Sequence, residues 1–278
     1  MATQNYGSKS LGVIDEKFTT ESKTDMIINK GITLTFEGVN TVTIYNVSTV
    51  AEVDYVRDGA NRFGPLVELP TGVQTFVLTQ DKAATWTIDR GNLQDSMMAQ
   101  EANKSMARQI REKAVPNTDK YRFATLMAYA VARTQGATAA TTNLNIFEKF
   151  LDQQAALTDA EVPEEGRVAF FTPLALNKLK RSTEYKVAGD KSYADVKTGV
   201  VSMVDGTKIV VVPTSYLPAN TTFLIVHEKT LISPVKLKLA RILDEVQGID
   251  GWVAEYRRYY DAFISTNKGV AIRYHKES

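Results

Sequence analysis

Residues 86–116 read WTIDRGNLQDSMMAQEANKSMARQIREKAVP, and the change of pattern inside this stretch decides the fold class. The run that ends here, Val73 to Ile88, is rich in Thr, Val, Phe and Trp, a strand composition. From Gly91 the period becomes helical. Leu93, Met97, Ala102, Met106, Ile110 and Ala114 recur every four or five residues, while Glu101, Lys104, Arg108 and Arg111 fill the other faces. Pro116 has no amide hydrogen, so the helix is expected to stop there after roughly 24 residues, about 36 Å.

Working outward, strands lie on both sides of this helix. Upstream, Ile32, Leu34 and Phe36 alternate with threonines, as do Val42 and Ile44, with Gly38 near the turn. A second strand pair is expected from Val50–Val56 and Val73–Ile88, joined by Arg57–Gly72, whose glycines and prolines are turn chemistry. Residues 1–31 are polar with scattered apolar residues and read as an extended arm without a core of its own. Downstream, helices are expected from Thr118, as N-cap, to Arg133, and from Asn143 to Leu157. A strand follows at Arg167–Phe171, then a short helix opened by Thr172 and Pro173. In Val200–Val212, Asp205-Gly206 supplies the positive φ angles of a type I′ hairpin. Strands close the chain at Thr222–Val226, Val235–Leu239, Trp252–Ile264 and Val270–Tyr274, with a last turn at Asn267-Lys268-Gly269. Strands precede, interrupt and follow the helices, so the class is α+β.

Composition narrows the function. The 278 residues hold 33 Lys and Arg against 32 Asp and Glu, a net charge of +1, which excludes a nucleic-acid binder that works by bulk charge. With 44% hydrophobic and 23% charged residues the chain builds a real core. It has no cysteine, so disulfides, thiolate chemistry and Cys-ligated zinc are excluded. The start lacks a secretory pattern, and the longest apolar stretch, Phe123–Ala132, is far short of the roughly 20 residues of a membrane span. A soluble protein made in a cytoplasm is expected, and the sequons at Asn46 and Asn220 are read as chance.

Candidate chemistry is sparse. His227-Glu228-Lys229-Thr230-Leu231 begins like a zinc-protease helix but has Leu231 where the second histidine is needed. His227 and His275 are therefore read as surface or hydrogen-bonded side chains. Glu161, Glu164 and Glu165 around Pro163 read as a solvated turn. Arg257-Arg258, between tyrosines, reads as a strand with one buried face and one face in salt bridges. Met97, Met98 and Met106 read as packing residues. No phosphate cradle or nucleophile elbow is present, and no catalytic, cofactor-binding or metal residue is assigned.

Four stretches, in order along the chain, carry a family resemblance. They are Thr41–Tyr45 before Asp54-Tyr55-Val56-Arg57-Asp58-Gly59; Leu78–Lys82 leading into Trp86–Asp89; the helix ending Val115–Arg122; and Tyr256–Phe263 with Asn267-Lys268. In this order they resemble the major capsid proteins of tailed bacteriophages, with the HK97-like fold, over nearly the whole chain. The resemblance implies an N-terminal arm (1–31), peripheral-domain strands (32–51) and an extended hairpin, or E-loop, laid on a neighbouring subunit (52–88). It further implies a spine helix with the peripheral domain (89–130), an axial domain (131–233), a peripheral return (234–268) and a final axial strand (269–278).

The function it implies is self-assembly, through pentamers and hexamers, into an icosahedral shell around double-stranded DNA, inside the host cytoplasm. Scaffolding, portal and decoration proteins are the expected partners, with weak, non-specific contact to DNA, no membrane and no cofactor. An encapsulin-like compartment shell and an α+β enzyme with an unread site are the alternatives. Some family members join subunits by a lysine–asparagine isopeptide bond, but Arg57–Gly72 has no lysine and Gln247–Gly251, where the acceptor would fall, has no asparagine. A shell without covalent crosslinks is expected.

Overall fold

β-Branched and aromatic residues form short strands between Thr35 and Val77. The computed structural model describes residues 21–38, 40–91, 102–183, 200–244 and 246–278. It divides into two units, Gly31–Thr79 and the remainder, Met1–Lys30 with Gln80–Ser278.

In the first unit, β1 (Thr35–Glu37), β2 (Thr41–Val47) and β3 (Thr71–Val77) form an antiparallel sheet in the order β1-β2-β3. Gly38 turns between β1 and β2 at φ 60°. Val42, Ile44 and Leu78 are buried, whereas Tyr45, Val73 and Val77 are exposed. The strand expected at Val50–Val56 is absent. β2 spends its edge on β3, from Thr41↔Val77 to Val47↔Thr71, and past the bond from Ser48 N–H to the Pro70 carbonyl (3.0 Å) Pro65 and Pro70 offer no donors to a ladder. The run Val73–Ile88 is likewise two strands, because the chain passes from one unit to the other at Thr79.

The second unit holds β4 (Gln80–Asp89), α1 (Ala102–Gln109), a π-helical turn (Ile110–Ala114), α2 (Val115–Ala132) and β5 (Gly136–Thr138). Next come α3 (Ile146–Asp159), β6 (Arg167–Phe171), α4 (Pro173–Arg181), β7 (Val200–Val204) and β8 (Thr207–Val211). β9 (Thr221–His227), β10 (Leu231–Ile232), β11 (Val235–Asp244), β12 (Gly251–Tyr260), β13 (Phe263–Ile264) and β14 (Ile272–Lys276) complete it.

Pro116 does not end the helix, contrary to expectation. The Val115 N–H bonds back to the Ile110 carbonyl, five residues earlier, and this wider turn makes room for the proline ring at the Glu112 carbonyl. The helical path therefore continues from α1 into α2. Thr118 is not a cap; its hydroxyl donates to the Ala114 carbonyl (2.8 Å) inside that path.

A six-stranded sheet, β5-β14-β9-β6-β8-β7, is covered on both faces. Val168, Phe170, Val210, Leu224, Val226 and Ile272 pack on Phe123, Leu126 and Met127 of α2. The alternate residues Ala169, Phe171, Ile209, Phe223 and Ile225 pack on Phe147, Phe150 and Leu157 of α3 and Leu176 and Leu179 of α4. Two-sided burial explains why β6 and β9 read as continuous apolar runs. The hairpin turn has Asp205 at φ 45° and Gly206 at φ 74°, and the Thr172 hydroxyl caps α4 by accepting from the Ala175 N–H (3.4 Å).

β11, β12 and β4 form a separate antiparallel sheet in that order, with β12 in the middle. Met106 of α1 packs on its Ala254 and Tyr256, joined by Trp86, Ile110 and Ile242, and the Trp86 indole donates to Ser105 Oγ (2.8 Å). Met97 and Met98 lie outside the described residues. The run Trp252–Ile264 breaks at Asp261-Ala262 into β12 and β13, and the last turn is a 3-10 segment, Thr266–Ala271, containing Asn267-Lys268-Gly269.

Candidate assembly surfaces

The longest apolar exposure is in residues 48–70 of the first unit, which form no strand. Gly64 N–H bonds to the Asn61 carbonyl (2.9 Å) and Val56 N–H to the Arg62 carbonyl (3.1 Å), closing a turn with Asn61 at φ 61°. Tyr55 and Phe63 meet edge to face at 5.0 Å. Yet Phe63 is 86% exposed and Leu66 fully so, with Val50, Val53, Val56, Val67 and Leu69 also uncovered. A single loop that leaves this many large apolar side chains in water marks an interaction surface.

The arm behaves differently at its root. Asp119 on α2, 1% exposed, accepts from Ser22 Oγ (2.8 Å), Lys23 N–H (2.9 Å) and Thr24 Oγ1 (2.6 Å). Arg122, one helical turn on, donates to Thr24 Oγ1 (2.8 Å), Asp25 Oδ1 (2.7 Å) and Ser233 Oγ (3.1 Å). Ile27 is fully buried in the α2 core, and Asn29 N–H bonds to the Leu231 carbonyl (2.7 Å). Residues 22–29, from the segment read as an arm without a core of its own, thus anchor on the α2 core. Met26-Ile27-Ile28 was the one signal in the sequence that could have located this anchor.

On one face of the β11-β12-β4 sheet, charges are paired. Arg257 grips Asp81 with two bonds (3.0 and 2.6 Å), and Arg241 reaches Glu255 (2.6 Å). The bond from Arg257 holds the Asp81 carboxyl below the usual range. The other face opens, beside the π turn, into a groove of ≈ 450 Å³ lined by Lys82, Lys113 and Arg258 with Tyr121, Tyr256 and Tyr260. Burial pushes the Tyr256 phenol up, with Arg258 opposing it. Arg257 thus lies on the salt-bridged face read from the sequence, and Arg258 on the other, where Ala254, Tyr256 and Tyr260 are buried.

Neither histidine stands in a site. The His227-Glu228 pair ends strand β9, not a helix, and His227 Nδ1 accepts from the Lys229 N–H (3.2 Å). His275, read as a surface or hydrogen-bonded side chain, is the latter, with Nδ1 3.5 Å from Thr222 Oγ1. It is fully buried and stacked on Phe223 at 5.4 Å, and burial lowers its pKa. Near it Glu277 accepts from Thr141 Oγ1 (2.5 Å), Thr141 N–H (3.2 Å) and Lys178 Nζ (3.2 Å). Among the described residues, no group of three His, Asp or Glu side chains could hold a metal, and no helix is long and apolar enough to cross a membrane.

No protein-family model and no curated protein matches the sequence. Solved structures do match. A chain of Mycobacterium phage Che8 superposes with TM-score 0.68 at 16% identity, covering 99% of this chain and 98% of that one. The capsid structure of the Cyanophage P-SCSP1u gives 0.70 at 10% identity over 98% of this chain and 92% of that one. The asymmetric unit of the bacteriophage PhiM1 mature capsid gives 0.67 at 13%, over 98% and 91%. The fold is that of phage capsid chains. The matches cover 98–99% of this chain, and so both of its units. At these identities the likeness is one of backbone path, consistent with a resemblance carried by short scattered stretches.

Proposed function

We propose that this chain is the major capsid protein of a tailed bacteriophage, assembling through pentamers and hexamers into an icosahedral shell around double-stranded DNA. The observation that carries the reading is the apolar loop 48–70, uncovered within its own unit, on a chain that shares its whole fold with phage capsids. Exposed surface of this kind is tolerated where a neighbouring copy covers it, in a large obligate interface. On this reading residues 1–31 form the arm, rooted at Asp119 and Arg122, and 52–88 the extended hairpin. Residues 89–130 are the spine and peripheral domain, and 131–233 with 269–278 the axial domain. That last division is supported by the six-stranded sheet, whose strands all fall inside those limits. The reading makes the protein structural, not enzymatic, and places it in the virion after assembly in the host cytoplasm. Scaffolding, portal and decoration proteins would be its partners, with weak, sequence-independent contact to DNA.

Electron microscopy and light scattering of the purified chain test the reading. Closed shells of many copies are expected, and a population of monomers or dimers under conditions that assemble phage shells overturns it. Nucleic acid recovered from particles made during infection separates a genome shell from a compartment that encloses protein cargo.

A further inference from the structure

The strand registers place three cations on one rung. Lys238 on β11 stands opposite Arg258 on β12, and Arg258 stands opposite Lys82 on β4. Residues directly opposite in an antiparallel sheet share a face with Cβ atoms about 5 Å apart, and like charges so placed destabilise the sheet. On the other face of the same sheet, arginines have carboxylates: Arg241 has Glu255 and Arg257 has Asp81. Among the described residues, no ion pair reaches Lys82, Lys238, Arg258 or the nearby Lys113. Arg258 bonds to Thr118 Oγ1 (2.9 Å) and lies over the Tyr260 ring (4.6 Å), while its Nε is buried without a partner. The groove that Lys82, Lys113 and Arg258 line has no carboxylate in its wall. A repulsive rung beside an open groove with phenol and amide donors is a seat for an extended acidic segment.

The same chain carries such a segment. Glu52-Val53-Asp54-Tyr55-Val56-Arg57-Asp58 is exposed throughout, and among the described residues its carboxylates form no ion pair. Acids at 52 and 54 alternate with Val53 and Tyr55, so an extended chain presents both carboxylates on one side, about 7 Å apart. We propose that the Glu52–Asp58 segment of a second copy docks the Glu52 and Asp54 carboxylates on the Lys82–Arg258–Lys238 rung. The proposal rests on the self-assembly reading for its partner and adds the receiving site and its charge register.

The test is carbodiimide coupling, which joins a carboxylate to an amine only where the two touch. Equal amounts of 14N- and 15N-labelled full-length chain are mixed before assembly, coupled, digested and analysed by mass spectrometry. Mixed-isotope peptides joining 52–58 to Lys82, Lys113 or Lys238 are expected. A pair found only within one label, or none where other inter-copy links form, overturns the proposal. In parallel, Glu52→Lys with Asp54→Lys changes only exposed loop residues and is expected to lower that crosslink and the particle yield at least tenfold. Adding Lys82→Glu and Arg258→Glu should restore particles. Unchanged yields from the loop variant overturn the seat while self-assembly stands. Should the wild-type chain form no shells, the self-assembly reading fails, and the mixed-isotope link in concentrated solution still decides the seat. Loss of duplex DNA retention in Lys82→Gln with Arg258→Gln, with the crosslink absent in wild type, would assign the rung to phosphate instead.

Discussion

Single buried polar residues hold the second unit in register. Arg167, 2% exposed, donates to the carbonyls of Pro163 (3.0 Å) and Val162, to Gln154 Oε1 (3.1 Å) and to Thr158 Oγ1 (3.1 Å), tying the turn before β6 to α3. Burial pushes the guanidinium pKa down and Glu164 offsets part of that, but arginine stays protonated. Arg167→Ala strands buried carbonyls, so a loss of about 3 kcal/mol and a fall in melting midpoint on the order of 10 °C are expected in thermal unfolding. Glu277 gives a pH-dependent counterpart. Burial raises its pKa, but the Thr141 hydroxyl and amide and Lys178 lower it further, so the net shift is downward. A folded pKa below the unfolded value near about 4.3 means the contribution is present at neutral pH and is lost as pH falls below about 4. Because Lys178 and Glu277 are partly exposed, Glu277→Gln should cost less than about 1 kcal/mol at pH 7. The difference from wild type should shrink as pH falls below about 4, and a constant gap across urea titrations from pH 7 into the acid range would contradict this linkage.

Helix α1 with its π turn links the two halves of the second unit's packing. Met106 is 7% exposed against Ala254 and Tyr256, while Lys104 points to solvent. Met106→Pro removes a helix hydrogen bond and costs about 3 kcal/mol or more, so particle yield should collapse, whereas Lys104→Ala should leave it within about twofold. Equal yields would show that this helix face is misassigned. The face was legible in the sequence because an amphipathic period survives any local change of pitch. Pro116 was misleading for the complementary reason: a proline forbids the regular i→i−4 bond, but a single π turn satisfies the backbone without ending the helix. The Asp205-Gly206 hairpin and the Thr172-Pro173 helix start were legible because their chemistry is local. Val50–Val56 was not. Its strand-like composition has no partner within the unit, and a β-segment is specified by what it pairs with. The groove was invisible too, since Lys82, Lys113 and Arg258 come together only through the β4–β12 register and the π turn.

On the proposed function, the whole molecule, a near-neutral chain with no cysteine, would hold its shell by packing and interlocking segments, or by some other covalent bond. An isopeptide staple needs a nucleophilic lysine at the exposed tip of the loop and an asparagine within reach on a neighbour. The tip, Arg57–Gly72, carries Arg57 and Arg62 and no lysine. Arg62 Nε is already turned back to the Gly59 carbonyl (3.3 Å), and a guanidinium remains protonated, so it cannot attack an amide. Lys82, the next lysine along the chain, lies inside β4 opposite Arg258 and outside the loop-tip segment in sequence. On the acceptor side, Gln247-Gly248-Ile249-Asp250-Gly251 forms a tight turn, Ile249 N–H to the Val246 carbonyl at 3.1 Å, and Asp250 faces Arg90 at 3.6 Å. A carboxylate held by an arginine is a poor acyl acceptor, because its charge repels the nucleophile and it has no leaving group. Denatured particles are therefore expected to run as one band near 30.8 kDa on a gel, with urea alone sufficient to dissolve the shell. A ladder of multimers that survives boiling in denaturant would show that the chain makes a covalent link through residues other than these.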